Sequence, residues 1–161
     1  MKTTKLLLSL PLAVIVSALL SSCGDSGAPA AGGGEAVQVT IQANDQMKYD
    51  TDRIEAKPGQ SVQVTLRNVG TMPKVSMGHN FVVLDGQVAP EQFLEASQMQ
   101  MASDYVAPEL KEHVIAHTKL LGPGEFDTIT FAAPKTAGDY PFLCSFPGHY
   151  AIGMKGVLSV K

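Results

Sequence analysis

The stretch that decides the fold is residues 139–160, DYPFLCSFPGHYAIGMKGVLSV. Its pattern predicts a strand that ends at Cys144, a turn over residues 146–148, and another strand over residues 156–160. His149 and Met154 follow the turn and return to the point where the first strand ends. A thiolate, an imidazole and a thioether are therefore expected at one end of the predicted strands.

Short apolar or alternating runs elsewhere predict further strands. These runs cover residues 37–41, 61–66, 81–84 and 126–131. Turn signals rich in Gly and Pro stand between them, at residues 57–60, 122–124 and 136–139. Many short strands punctuated in this way predict an all-β, Greek-key β-sandwich or barrel. One helical excursion is expected over residues 90–102, where Pro90 suits the first turn of a helix.

A second imidazole comes from His79, which lies 65 residues before Cys144 at the opening of another predicted strand. Two His, one Cys and a more distant Met form the ligand set of a blue (type 1) copper site. Each of these residues alone is more often a core or surface residue, but their joint occurrence predicts one copper ion bound by His79, Cys144, His149 and Met154. Since protein atoms would fill every coordination position, we expect an electron carrier and not an enzyme. His113 and His117 lie in a polar stretch and are assigned no metal.

Two other functions remain open at this stage. A copper-binding or copper-delivery protein is one, although delivery sites tend to be rich in Met and to exchange metal readily. An interaction module that kept the same fold is the other, because a fold alone does not define a function.

The N-terminal segment predicts export. Residues 1–22 hold two lysines and then a short apolar run that contains a proline, which favours a signal peptide over a membrane span. The run ends in LSSC and resembles a bacterial lipobox, which implies lipidation of Cys23; ordinary cleavage nearby is the alternative. Residues 23–36 predict a flexible linker and residues 37–161 the folded domain. We therefore expect a membrane-anchored lipoprotein that faces the periplasm or the cell exterior.

Charge and cysteine content narrow the class of partner. The chain has 12 Lys and Arg against 15 Asp and Glu, with no basic cluster, which argues against nucleic-acid binding. If Cys23 is lipidated, Cys144 has no disulfide partner in the chain, because there are two cysteines in all. A metal would occupy this otherwise reactive thiol.

From about residue 37 to residue 161 the chain resembles azurin-type cupredoxins. The matching pieces are NDQM (44–47), MPK (72–74), MGHN (77–80), VIAHTKL (114–120), CSFPGH (144–149) and MKG (154–156). The resemblance implies that His79, Cys144 and His149 are the strong ligands and Met154 the axial one. The Gly78 carbonyl would be a second, distant axial neighbour.

The resemblance also implies residues around the ligands. Asn80 would tie the His79 loop to the Cys144 loop, where Ser145 stands next to the ligand. The Phe146 backbone amide would donate a hydrogen bond to the thiolate.

The chain departs from azurins at several positions. Four residues separate His149 from Met154, where azurins have three, and in this the chain is closer to auracyanins. The extra residue is expected to bring Met154 nearer the copper and to weaken the Gly78 contact. The azurin disulfide is absent, Phe81 stands where many azurins have a buried Trp, and Asn68 stands where some have a titrating His.

An exposed apolar face around the His149 edge is expected to dock redox partners. Its predicted members are Met47, Met72, Met77, Phe146, Pro147 and Ile152. Core packing is the alternative for Met47. Electrons would pass through His149, and the expected partners of this monomer are c-type cytochromes or other membrane or periplasmic electron-transfer proteins.

Overall fold

The computed structural model describes residues 32–161 of the chain. The predicted signal peptide (1–22) and the predicted lipidation site Cys23 lie outside the described residues. In the described part, no helix is long and apolar enough to cross a membrane.

Strands are the main regular structure of the described chain. They are β1 (Gly32–Asn44), β2 (Lys48–Tyr49), β3 (Arg53–Ala56), β4 (Gln60–Asn68), β5 (Val82–Leu84), β6 (Val114–His117), β7 (Phe126–Ala132), β8 (Gly138–Leu143) and β9 (Lys155–Val160). The helices are α1 (Lys74–Met77), α2 (Pro90–Ser97) and two 3-10 segments, Met101–Ser103 and Pro108–His113.

The strands form two sheets. One has the order β2-β1-β4-β7 and the other β3-β9-β8-β5-β6. β1 pairs with β4 in parallel and β3 with β9 in parallel, while the remaining pairs are antiparallel. The predicted all-β sandwich is therefore confirmed.

Alternation along the strands produces the core. In β4, Val62, Val64 and Leu66 are fully buried while the residues between them are more accessible, as the period of two in a strand requires. The other sheet contributes Phe142, whose ring centroid lies 4.9 Å from that of Phe81. One apolar core thus joins both sheets and extends to Cys144 and Met154.

The structure contains the six strands that the sequence predicted, and it adds three short ones. β2, β3 and β6 have two to four residues each, too few for a clear periodic pattern. The predicted helix over residues 90–102 ends at Ser97, where a turn and a 3-10 segment follow. β1 begins at Gly32, so it overlaps the C-terminal part of the predicted linker (23–36).

The order of the strands places the candidate ligands at one end of the sandwich. β8 ends at the residue before Cys144, and β9 begins at the residue after Met154. β5 pairs with β8, and His79 stands just before β5. The sequence between β8 and β9 therefore forms a loop that faces His79.

Candidate metal centre

His79 is fixed by its backbone. It forms an isolated antiparallel bridge with Leu121, in which the His79 amide donates to the Leu121 carbonyl at 3.0 Å and the Leu121 amide donates back at 2.7 Å. The side chain of His79 is fully buried. The imidazole therefore has little freedom to leave its place at the end of the sandwich.

The other candidate ligands lie on the loop between β8 and β9, which closes on itself. The Cys144 amide donates to the Met154 carbonyl at 3.1 Å, and the Met154 amide donates to the His149 carbonyl at 3.1 Å. The His149 amide donates to the Phe146 carbonyl at 3.2 Å. These bonds hold Cys144, His149 and Met154 together, and all three side chains are buried.

Three donor atoms converge in this buried space. One ring nitrogen each from His79 and His149 and the sulfur of Cys144 all lie within 4.8 Å of one another. The Cys144 Sγ is 3.4 Å from the His149 Nδ1. Two imidazoles and one thiolate at this separation suit a copper or zinc ion.

The hydrogen bonding of the His79 ring indicates whether a metal would fit at this site. Neither of its ring nitrogens has a hydrogen-bond partner of normal geometry among the described residues. The Asn44 carbonyl is near enough to raise the pKa of the ring, but it is the smallest of the influences on that pKa. A buried polar atom without a partner costs about 1–3 kcal/mol. A metal bond to one nitrogen would remove part of this cost, so the residues present fit a copper ion.

Burial also prepares the two imidazoles for a metal. It lowers the pKa of His79 and of His149 to about 4, so both rings are neutral and able to coordinate at neutral pH. Burial raises the pKa of the Cys144 thiol to about 12. A metal that binds there must displace the thiol proton, which couples metal binding to proton release.

Several hydrogen-bond donors favour the thiolate form of Cys144 and so oppose the effect of burial on its pKa. The backbone amides of Asn80 and Phe146, and then the Tyr49 hydroxyl, act to lower the pKa of Cys144. Tyr49 also donates a short hydrogen bond to the Asn80 carbonyl. Donors of this kind tune a metal–sulfur bond.

Asn80 links the two ligand loops. Its Nδ2 donates to the Ser145 Oγ at 2.8 Å and to the Asp104 carbonyl at 2.7 Å. Its Oδ1 accepts from the Ser145 amide at 2.9 Å. Asn80 follows His79 and Ser145 follows Cys144, so this network joins the neighbours of two candidate ligands.

Gly78 lies where a side chain has no room. A Cβ there would be 2.7 Å from the Lys74 carbonyl oxygen and 2.9 Å from the Leu120 Cγ. The close packing lets the backbone before His79 run next to Leu120. Met154, which follows Gly153, is fully buried in the same core cluster as Cys144.

The ligand loop makes a tight turn before Met154. The Gly153 amide donates to the Tyr150 carbonyl at 2.9 Å, and Gly153 has φ +97°, a conformation that glycine adopts readily. The Lys48 Nζ donates to the Ile152 carbonyl at 2.5 Å. The longer loop is therefore braced from β2.

The predicted docking face is partly exposed. Met72 is 42% exposed, Ile152 is 51% exposed, and Pro147 is also exposed, while Met47 and Met77 are partly buried. Val75, which lies outside the predicted set, is 73% exposed.

Two members of this face differ from the expectation. Phe146 is buried, because its ring packs against His149 with the centroids 4.6 Å apart. It therefore lies beneath the face and does not belong to its exposed part. His149 itself is 2% exposed, so the surrounding side chains cover its imidazole edge.

Two further histidines have other partners. The His113 Nδ1 is 3.1 Å from the Asp85 Oδ2, and the His117 Nδ1 is 3.0 Å from the Thr118 carbonyl. Neither belongs to the His79–Cys144–His149 group.

Sequence reasoning missed Tyr49 and Lys48, which stand on the two-residue strand β2. The NDQM motif just before them was the available signal, because its Asn and Asp favour a turn, which a further strand can follow.

The sandwich and its buried His–Cys–His cluster define a cupredoxin with a type 1 copper site. Comparisons with known proteins agree. Residues 35–161 match the model of the copper binding proteins of the plastocyanin/azurin family. The chain belongs to that family.

Individual relatives give the same result. Azurin of Pseudomonas aeruginosa is 40% identical over 126 residues, which are 76% of this chain and 84% of that protein. Outer membrane protein H.8 of Neisseria gonorrhoeae is 41% identical over 115 residues, or 70% of this chain, but the match spans 62% of its own length. The crystal structure of reduced auracyanin from Roseiflexus castenholzii has a TM-score of 0.67 at 34% identity, and covers 80% of this chain and 99% of that one.

Proposed function

We propose that this chain is an exported blue copper protein that carries single electrons between membrane or periplasmic redox partners. The observation that carries the proposal is the buried convergence of His79, Cys144 and His149 within 4.8 Å. Membership of the plastocyanin/azurin family supports it. In this role the protein is a carrier and not an enzyme.

Met154 and Gly78 complete the proposed ligand set. Met154 would offer its thioether sulfur to the ion, and the Gly78 carbonyl would be a more distant neighbour. Bound copper would supply a Cu(I)/Cu(II) couple, the one-electron chemistry of this class. The protein holds its ligands on backbone hydrogen bonds and in a dense core, so they would move little between the two oxidation states.

Burial argues against the rival function of copper delivery. Cys144 and His79 are fully inaccessible and His149 nearly so, so a partner that exchanges metal has no ligand to attack first. Tight retention suits a carrier.

The proposed docking face consists of Met72, Val75, Pro147 and Ile152, with Met47 and Met77 partly buried among them. The Asp45 carboxylate joins this region by accepting hydrogen bonds from the Thr71 amide at 2.8 Å and the Met72 amide at 3.3 Å. An exposed apolar surface suits a short-lived complex with a c-type cytochrome, in which electrons pass through His149.

Stopped-flow mixing of the copper-loaded protein with a c-type cytochrome tests this function. Met72→Lys should slow electron transfer and leave the copper spectrum unchanged. Ala137→Lys is the matched control, since it adds the same charge in the exposed turn before β8, about 20 Å from the ligand loop. Equal rates for the two variants would exclude the face, and no electron transfer by the unmodified protein would exclude the carrier function.

The membrane anchor is a separate part of the proposal. The lipobox-like LSSC sequence supports lipidation of Cys23, and the name of the Neisseria relative, an outer membrane protein, supports export. Full-length protein made in bacteria with radiolabelled palmitate should be labelled and found in the membrane fraction. Cys23→Ser should lose both the label and the membrane association; a labelled Cys23→Ser protein would refute the anchor.

A further inference from the structure

We propose that Lys48 is a positioning residue, which braces the lengthened loop between His149 and Met154 and thereby sets the place of the axial sulfur. This inference rests on the proposed function of the copper site. It assigns a role to a residue outside the ligand set and outside the docking face.

The hairpin that carries Lys48 is held in a defined shape. The Met47 amide donates to the Asn44 carbonyl at 3.0 Å, and the Gln46 amide donates to the Asn44 Oδ1 at 3.0 Å. Met47 has φ +55°, the left-handed residue that closes a three-residue hairpin loop. Lys48 follows at once and pairs with Asn44, so the base of its side chain is fixed.

Its ammonium group reaches the tip of the ligand loop, 104 residues away in the sequence. The Nζ donates to the Ile152 carbonyl, and a Cβ on Gly153 would lie 3.0 Å from the same Nζ. The ammonium is thus packed directly against Gly153, the residue before Met154. A hydrogen bond from a charged donor is about twice as strong as a neutral one.

The hydrogen bonds within this loop fix its ends but not its tip. Its own hydrogen bonds, from Gly153 to Tyr150 and from Met154 to His149, fix the two ends. Ala151 and Ile152 at the tip are exposed to solvent. Lys48 holds that tip from β2, and a loop free at its tip would let Met154 change its distance from the other ligands.

If a substitution of Lys48 changes the properties of the copper site, the competing explanation is the loss of a positive charge near the copper. Lys155 supplies the matched control, because its Nζ lies 4.2 Å from the centroid of the Tyr150 ring in the same loop. Lys155→Met removes one positive charge near the loop without removing a hydrogen bond to a loop carbonyl. Met154→Leu separates the two explanations further, since it removes the sulfur through which Lys48 is inferred to act.

The first experiment measures the ratio of reduced to oxidised copper protein at a fixed potential. Lys48→Met should change this ratio about threefold, which corresponds to a shift of ~28 mV in the reduction potential at 59 mV per tenfold. The copper hyperfine splitting should change as well. Lys48→Arg should restore most of the wild-type value, and Lys155→Met should have less than half the effect. In the Met154→Leu background the effect of Lys48→Met should disappear.

An equal effect of Lys155→Met, or a shift that persists in the Met154→Leu background, would overturn the inference in favour of a simple charge effect. A normal blue copper spectrum with no shift in Lys48→Met would overturn it too, and would leave the proposed function intact.

The second experiment needs no copper. In the metal-free protein, Lys48→Met should speed hydrogen exchange at the Gly153 and Met154 amides and leave the Ser145 amide unchanged. Unchanged exchange at Gly153 and Met154 would refute the brace, whatever the copper spectrum of the wild-type protein is.

Discussion

The link between the two ligand loops makes a quantitative prediction for Asn80→Ala. The fully buried Asn80 amide donates to Ser145 and Asp104 and accepts from the Ser145 backbone. Each hydrogen bond contributes about 1 kcal/mol, and a buried group left without its partner costs about 1–3 kcal/mol. The substitution removes the two bonds that Asn80 donates, about 2 kcal/mol together, and leaves the buried Ser145 amide without its acceptor at about 1–3 kcal/mol, so it should lower the free energy of unfolding by about 3–5 kcal/mol.

Urea unfolding of the copper-free protein measures this loss without any contribution from metal binding. Ser145→Ala is the matched control, because it removes the Oγ acceptor at 2.8 Å but keeps the amide bond to the Asn80 Oδ1. It should cost about 1 kcal/mol. A cost for Asn80→Ala no greater than that for Ser145→Ala would refute the view that Asn80 joins the loops.

Two further predictions concern stability. Gly156→Ala should cost about 2 kcal/mol or more, because its Cβ would lie 2.2 Å from the Phe142 Cζ. The control Gly124→Ala, with φ +75° and no atom within 4 Å, should cost only about 1 kcal/mol; urea midpoints that reverse this order would contradict the packing argument. Burial lowers the pKa of His79 and of His149 from 6.5 to about 4, so the unfolded chain binds more protons between these values. The free energy of unfolding of the copper-free protein should therefore be highest above about pH 6.5 and should decrease as the pH falls toward 4. Urea midpoints that stay flat over this range would show that the two rings are not buried in their neutral form.

The main parts of the sandwich could be predicted from the sequence because they carry strong local patterns. The alternation of Val62, Val64 and Leu66 marks β4 and its buried face without any knowledge of its partners. The turn over residues 146–148 likewise predicts that Cys144 and His149 lie close together, since they are only five positions apart. His79 could be added to them because it opens a predicted strand, whereas His113 and His117 lie in a polar stretch.

The missing parts depend on contacts that no local pattern encodes. Lys48 and Tyr49 form a strand of two residues, and their roles come from the Ile152 and Asn80 carbonyls, which lie far away in the sequence. The predicted helix was too long because its composition stays helix-forming after Ser97, where the chain turns instead. Burial of Phe146 against His149 likewise depends on how the loop folds over the site.

Addition of one equivalent of Cu(II) to the purified metal-free protein tests the central claim most directly. Visible absorption and electron paramagnetic resonance should show an intense thiolate-to-copper charge-transfer band and a narrow copper hyperfine splitting. Cys144→Ser should abolish both and leave the fold intact by circular dichroism. A pale, weakly bound copper with ordinary hyperfine splitting in the unmodified protein would mean that His79, Cys144 and His149 do not assemble into a blue copper site.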